Sequence, residues 1–116
     1  MNQNFKRSKR LLKKDEFQKV KRSKNKVKST YFWGQASDEL NHGGTKIGII
    51  TTRKLGPAHL RNKSRRIVRE LFRKNIGKIK ASTSLIVLPR RKIINEDYKT
   101  LESEYLSFLG KLLILK

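Results

Sequence analysis

Residues 61–73 have the sequence RNKSRRIVRELFR. On a helical wheel at about 100° per residue, this segment divides into two faces. The apolar face contains Leu60, Ser64, Ile67, Val68 and Leu71, with Phe72 at its border. The opposite face contains Asn62, Arg65, Arg66, Arg69 and Arg73. The pattern predicts a helix from about Ala58 to Asn75, with one face packed on a core and a row of guanidinium groups on the other.

The basic face of this helix has the chemistry of a phosphate-binding surface. Arginine remains charged at any working pH, and its guanidinium group can bind phosphate through two parallel hydrogen bonds. A face that only contacts solvent usually mixes charges of both signs, whereas Glu70 is the one acid in this helix. We therefore predict that the helix binds nucleic acid, the alternative being a solvated charged face.

The charge of the whole chain indicates the same kind of partner. The 116 residues include 30 Lys and Arg against 9 Asp and Glu, which gives a net charge of +21. Residues 1–28 hold twelve basic and two acidic residues, and residues 53–80 hold eleven basic and one acidic residue. A monomer with this charge repels itself, so we expect a polyanionic partner. The two basic blocks predict two contact surfaces, or one surface formed when the chain folds.

Several other classes of protein are disfavoured by the composition. Cysteine is absent, so the sequence offers neither a disulfide framework nor a thiolate metal site. The basic N-terminus lacks the apolar segment of a signal peptide. The apolar run at 112–115 is far too short to span a bilayer. These features predict a soluble, cytoplasmic protein without a membrane contact, and no protein partner is evident.

Helix and strand patterns flank the basic helix. Residues 14–22 are typical of a short helix, and residues 23–28 of a basic linker. Residues 30–36 and 45–52 have strand patterns that predict a hairpin. The apolar run 84–88, closed by Pro89, predicts a buried strand.

The C-terminal segment predicts a last helix capped by Asn95. Its apolar stripe is expected to be core and consists of Tyr98, Leu101, Tyr105, Phe108, Leu109 and Leu112. The order α-β-β-(β)-α-β-α, with one optional strand, predicts an α+β fold with one sheet and helices packed on it. We expect a basic, poorly ordered segment over residues 1–13 and a single RNA-binding domain over residues 14–116.

The acids and histidines do not form a recognisable catalytic centre. Glu102 and Glu104 are two residues apart on a helix and do not face each other. His42 lies in a glycine-flanked turn and His59 at the start of the basic helix, and neither has an acidic or nucleophilic companion nearby in the sequence. The sequence therefore predicts no catalytic residue and no metal site in the polypeptide.

Four segments carry a family resemblance. Residues 61–70, RNKSRRIVRE, closely resemble the Arg-Asn-Arg motif of the bacterial ribonuclease P protein family. Residues 48–58, GIITTRKLGPA, are similar to the strand, basic pair and turn that precede that motif. Residues 12–20 and 84–90 look like the first helix and the final strand of the family. The resemblance covers nearly the whole chain in the same order.

The resemblance implies a function in transfer RNA maturation. The family's protein binds a large catalytic RNA, and together they remove the 5′ leader from precursor tRNA. The RNA and its Mg²⁺ ions carry out the hydrolysis, so the implied partners are the ribonuclease P RNA and precursor tRNA, with no cofactor bound by the protein. The family's sheet also contains a parallel strand pair joined by a left-handed crossover, against the usual right-handed preference.

The resemblance also implies two sets of binding residues. The residues that it implies bind the RNA subunit are Arg53, Lys54, Arg61, Asn62, Lys63, Arg65, Arg66, Arg69 and Arg73. A cleft between the first helix and the sheet holds the single-stranded leader, and Phe17 takes a place in it. Strand alternation predicts that Tyr31 and Trp33 point to one side and Phe32 to the other, so Tyr31 and Trp33 are candidates to stack on leader bases.

The chain departs from the family pattern at two positions. Lys63 stands at the third motif position, where it keeps the charge but lacks the guanidinium fork. Lys21 stands where the first helix often has a second aromatic residue, which predicts a phosphate contact in place of stacking.

Three other functions remain as alternatives. A ribosomal or other structural RNA-binding protein would explain the charge, but not the ordered set of motif segments. A DNA-binding module would place Arg65 and Arg69 in a major groove, but no second helix precedes the basic one across a short turn. An amphipathic helix on an anionic membrane would be expected to carry an interfacial Trp, which this apolar face lacks.

Overall fold

The basic segment forms a single helix, Ala58–Asn75, in the computed structural model of the protein. The structure describes residues 11–37 and 44–116. In chain order, these residues form helix α1 (Lys14–Lys21), strands β1 (Lys26–Lys28), β2 (Phe32–Ser37) and β3 (Lys46–Ile49), helix α2 (Ala58–Asn75), strand β4 (Ser84–Pro89) and helix α3 (Tyr98–Lys111). Short 3-10 turns occur at Arg53–Leu55, Ile76–Lys78 and Arg91–Asn95. The predicted α+β class and the order of elements are confirmed.

The four strands form one mixed sheet in the order β1-β2-β4-β3. Strand β4 is antiparallel to β2, with Phe32 opposite Pro89, and parallel to β3, with Ile47 opposite Leu85. The predicted hairpin between the second and third strands is therefore wrong, because β4 lies between them. An almost continuous apolar strand such as β4 gains most from a central position, where both of its faces are covered.

Helix α2 connects the two parallel strands, β3 and β4. This parallel pair, joined through the basic helix, agrees with the crossover that the family resemblance implies.

The segment expected to be a linker contains the edge strand β1. Val27 packs against the main core, while Lys26 and Lys28 on either side are exposed. Lysine on an edge strand discourages pairing with other chains. The strand was not recognised in the sequence, because Val27 is its one apolar residue and lysines stand on both sides of it.

Each face of the sheet packs against helices. On one face, Phe32, Leu85 and Val87 join residues of α2 and α3 in the main core. The ring of Phe32 lies 5.7 Å from those of Tyr105 and Phe108. On the other face, Leu12, Val20 and Ile86 form a smaller cluster beneath α1, with Phe17 and Ile50 packed against it. Among the described residues, the sheet therefore separates a closed face, covered by two helices, from a partly open face on which the short α1 is the one helix.

The N-terminal boundary of the fold lies before α1. Leu12 is buried, and its backbone N–H donates to the carbonyl of Ile47 at 3.0 Å. Leu11 forms a bridge with Ile47. These two residues thus pack with the domain, while residues 1–10 of the segment expected to be poorly ordered lie outside the described part of the chain.

Helix α3 begins at a cap different from the expected one. Asp97, not Asn95, accepts a hydrogen bond from the backbone N–H of Thr100 at 2.8 Å, which lowers the pKa of the Asp97 carboxyl. Asn95 is the last residue of the preceding 3-10 turn, and the helix begins three residues later, at Tyr98. The apolar stripe of α3 is core as predicted, since Leu101, Tyr105, Phe108, Leu109 and Leu112 are buried. Within residues 11–37 and 44–116, no helix combines the length and apolar character that a membrane crossing requires.

Candidate nucleic-acid interface

Helix α2 separates its residues into two faces, as its periodicity predicts. The buried face consists of Ser64, Val68, Leu71, Phe72 and Asn75. Ser64 is tolerated there because its hydroxyl donates to the carbonyl of Leu60 at 2.9 Å. On the other face, Asn62, Lys63, Arg66 and Arg73 are exposed, and Arg61, Arg65 and Arg69 are half-buried. The core packing of one face fixes the direction in which the cations of the other face point.

Three arginines of α2 have local partners that orient them. Arg61 donates to the carbonyl of Gly56 at 3.0 Å, which ties the first turn of the helix to the segment before it. Arg65 donates to Oδ1 of Asn62 at 2.6 Å. Arg73 pairs with Glu70. The Arg73 pair is exposed, so it stabilises the fold little and leaves Arg73 able to bind another anion.

The basic pair before the helix sits on a 3-10 turn. Arg53 and Lys54 are exposed, while Leu55 beside them is buried and anchors the turn. Gly56 follows with a φ of 117°, a conformation that favours glycine. This turn places Arg53 and Lys54 just before the start of α2.

Helix α1 is fixed to the sheet by a buried ion pair. Nζ of Lys46, at the start of β3, lies 3.0 Å from Oε2 of Glu16, and the two side chains are 9% and 17% exposed. Oε1 of Glu16 also accepts the backbone N–H of Lys13 at 2.8 Å. Sequence reasoning missed this pair, because one lysine among 30 basic residues carries no local signal of its partner.

The ring of Phe17 lies against the backbone of the sheet. A Cβ atom added to Gly48 in β3 would lie only 2.3 Å from Cζ of Phe17. The half-buried ring lines a shallow hollow, the Phe17 hollow, with Leu12, Gly48, Arg65 and Arg69. The first helix, the sheet and the basic helix therefore meet at one place, and the two predicted binding surfaces are adjacent.

A second depression, the sheet cleft, lies on the same face of the sheet. It is lined by Lys28, Trp33, Gln35, Ile50, Ile86 and Leu88, among others. Ile50 and Ile86, which line the sheet cleft, belong to the same small cluster as Leu12 and Phe17, which line the Phe17 hollow, so one apolar cluster borders both depressions. Lys21, at the end of α1, is exposed, and its carbonyl lies 3.3 Å from Nε2 of Gln35.

Two cations lie over the ring of Trp33. Nζ of Lys28 lies 4.5 Å from the ring centroid, and Cζ of Arg90 lies 4.1 Å from it. Neither cation was among the predicted site residues. Lys28 lies in the segment interpreted as a linker and Arg90 after the final strand, so only the pairing of β1, β2 and β4 reveals that they meet at Trp33.

Tyr31 does not share the side of the sheet occupied by Trp33. Its side chain packs against the main core, and its hydroxyl donates to Oε2 of Glu96 at 2.8 Å. That hydrogen bond is the largest cause of a raised pKa at Tyr31. The predicted alternation is wrong here because β2 begins at Phe32, so Tyr31 lies before the regular strand. Phe32 is buried in the main core.

The remaining titratable candidates do not assemble. His59 is exposed at the start of α2, and His42 lies outside the described residues. In residues 11–37 and 44–116, no three His, Cys, Asp or Glu side chains are grouped so that they could hold a metal ion.

A family model described as Ribonuclease P matches residues 5–113 of this sequence. The chain belongs to the ribonuclease P protein family. The "Ribonuclease P protein component" of Thermotoga maritima is 31% identical over 117 residues, which is 97% of this chain and 98% of the relative. The resemblance drawn from the motif segments is thereby confirmed.

Solved structures of ribonuclease P proteins share this fold. The Thermotoga maritima RNase P protein superposes with a TM-score of 0.73 at 30% identity, covering 86% of this chain and 94% of the other. The Staphylococcus aureus RNase P protein gives a TM-score of 0.74 at 25% identity, covering 92% and 97%. The family match therefore extends to nearly the full length of each chain.

Proposed function

We propose that this chain is the RNA-binding protein subunit of a ribonuclease P, the ribonucleoprotein that removes the 5′ leader from precursor tRNA. The observation that carries the proposal is the meeting of a cationic helix face and a partly open aromatic surface at the Phe17 hollow. One surface suits a folded RNA, whose phosphates are accessible. The other suits a single strand, whose bases can stack.

The contact with the catalytic RNA is assigned to α2 and the turn before it. Arg61, Asn62, Lys63, Arg65, Arg66, Arg69 and Arg73, with Arg53 and Lys54, form this contact. The buried face of α2 supports the assignment, because it holds the helix at a fixed angle without using any of these side chains. The half-buried Arg65 and Arg69 lie where the RNA subunit and the leader come together.

The leader contact is assigned to the Phe17 hollow and the sheet cleft. Phe17 and Trp33 offer aromatic surface to bases, and Lys21 and Lys28 offer charge to phosphates. Tyr31 is left out of this assignment because its hydroxyl is bound to Glu96 on the other side of the sheet.

The polypeptide supplies binding, and the RNA supplies the chemistry. Mg²⁺ is expected to lie with the catalytic RNA, as the family resemblance implies. The cations of α2 reduce the repulsion between two RNA molecules, which matters most when Mg²⁺ is scarce. A protein with this task is expected in the cytoplasm.

Cleavage assays test this proposal. Precursor tRNA is incubated with the chain alone, with a bacterial ribonuclease P RNA alone, and with both, over a series of Mg²⁺ concentrations. We expect no leader cleavage by the chain alone and faster cleavage by the pair than by the RNA, with the largest gain at low Mg²⁺. Cleavage by protein stringently freed of RNA, or no gain on adding the chain, would contradict the proposal.

A further inference from the structure

A third depression, the end hollow, lies beyond the sheet cleft at the carboxyl ends of β3 and β4. It is bordered by Thr52, Lys54, Leu55, Pro89, Arg90 and Arg91. Trp33 and Leu88 line both the end hollow and the sheet cleft. The two depressions therefore form one continuous surface that passes across the indole ring of Trp33.

The end hollow is cationic around an apolar floor. Lys54 and Arg91 are exposed at its border, and Arg90 is half-buried. No acidic side chain lines it within the described part of the chain. Arg90 is held by its contact with Trp33, and no described residue hydrogen-bonds to its guanidinium group. A guanidinium placed over an aromatic ring retains N–H groups that can bind phosphate.

We propose that the end hollow binds single-stranded RNA as a continuation of the leader site. This inference rests on the proposed function. The shared residues Trp33 and Leu88 decide in favour of the leader over the catalytic RNA, because a strand that leaves the sheet cleft past Trp33 enters the end hollow directly. The apolar floor accepts a base, and Arg90 and Arg91 bind the phosphates on either side of it.

The length of the leader provides the test. The chain is assembled with a ribonuclease P RNA, and affinities are measured for mature tRNA and for precursors whose leaders grow one nucleotide at a time. The variant Arg90→Ala/Arg91→Ala removes two cations from the end hollow. The control Lys92→Ala/Lys99→Ala removes two exposed cations that do not line it.

We expect the affinity of the wild-type enzyme to rise when the leader fills the sheet cleft, and to rise a second time when the leader becomes long enough to reach the end hollow. The Arg90/Arg91 variant should lack only that last rise. Its salt dependence for long leaders should fall by about 0.7 in log–log slope for each lost contact, hence by about 1.4. Mature tRNA and precursors with short leaders should bind the wild-type enzyme and the Arg90/Arg91 variant with equal affinity. The control variant should behave as wild type.

Trp33 offers a second readout, because it is the only tryptophan of the chain. Its fluorescence should respond to a precursor with a leader and not to mature tRNA. If Arg90→Ala disturbs folding through the lost contact with Trp33, Arg91→Ala alone tests the same hollow from an exposed position.

Two results would overturn the inference. An equal loss for all leader lengths and for mature tRNA would place these arginines on the catalytic RNA. An unchanged dependence on leader length would remove them from RNA binding altogether. Failure of the proposed function is distinguishable, since the wild-type chain would then not raise cleavage by the RNA at all.

Discussion

Replacing Gly48 with Ala should displace Phe17 without removing any side chain assigned to RNA binding. The new Cβ would lie 2.3 Å from Cζ, 2.6 Å from Cε1 and 3.0 Å from Cε2 of the Phe17 ring. Carbon atoms pack at about 3.5 Å or more, so the ring must move by at least about 1.2 Å. Because the ring is half-exposed, it can swing toward solvent, and we expect a stability loss near the lower end of the 1–3 kcal/mol typical of overpacking, about 1 kcal/mol.

The displacement of Phe17 should appear in substrate discrimination. In the enzyme assembled with a ribonuclease P RNA, Gly48→Ala should lower the affinity for precursor tRNA and leave that for mature tRNA unchanged. If one base stacks on the ring, the loss is on the order of 1 kcal/mol, about fivefold in the ratio of the two affinities. Equilibrium binding of both RNAs and the melting temperature of the free protein are the measurements.

Two further variants control this experiment. Gly77→Ala adds a methyl group that meets no described residue beyond its own chain neighbours within 4 Å, so it should change neither affinity. The double variant Phe17→Ala/Gly48→Ala removes the ring that the methyl group would strike, so the two stability losses should not add. A stably folded Gly48→Ala protein with the wild-type preference for precursor, or strictly additive losses, would refute the assigned position of Phe17.

Three further predictions concern the interface and the ion pairs near it. Arg65→Ala/Arg69→Ala should weaken binding of the RNA subunit and reduce the log–log slope of its salt dependence by about 0.9 for each lost contact, if the duplex DNA value holds. Normal binding, or an unfolded protein, would contradict the assignment of these residues to the basic face. The charge-matched control is Lys99→Ala/Lys111→Ala. Phe17→Ala should reduce the preference for precursor over mature tRNA by about 1 kcal/mol, whereas a loss of both affinities together with a lower melting temperature would mean that Phe17 acts only in packing. Lys46→Met should destabilise the fold by about 1–3 kcal/mol in denaturant unfolding, because it removes the buried ammonium group that pairs with the Glu16 carboxylate. Glu70→Gln, at the exposed pair with Arg73, should cost under about 1 kcal/mol. Equal effects of the two substitutions would contradict the role of the buried pair.

The sequence was most informative where one element carries its own periodic signal. Helix α2 has the predicted bounds, Ala58 to Asn75, and the predicted division into buried and basic faces. The stripe of α3 and the apolar strand β4 follow from equally local patterns. Each of these elements buries a continuous set of side chains, so composition and spacing are enough to locate it.

Sheet topology could not be predicted from such local patterns. The hairpin expectation rested on sequence proximity of β2 and β3, but the central place belongs to β4, which arrives only after the long α2. The edge strand β1 has a single inward residue, Val27, and its pairing with β2 depends on the rest of the sheet. Pairing between distant strands is a property of the whole core.

The candidate site divides in the same way. The cations of α2 and the ring of Phe17 were predicted from motif and spacing, and the structure brings them together at one hollow. Lys28 and Arg90 were missed because they meet at Trp33 only through the sheet. Tyr31 was assigned to the wrong side because it lies just before β2, where the regular alternation of a strand does not apply.

The comparison of precursor with mature tRNA tests the central claim most directly. The affinity of a ribonuclease P RNA for precursor tRNA and its affinity for mature tRNA are measured with and without the chain, at one Mg²⁺ and one salt concentration. If the chain holds the leader while bound to the RNA through α2, it should raise the affinity for precursor tRNA and leave that for mature tRNA nearly unchanged. Equal gains for both RNAs, or a gain for neither, would contradict the account.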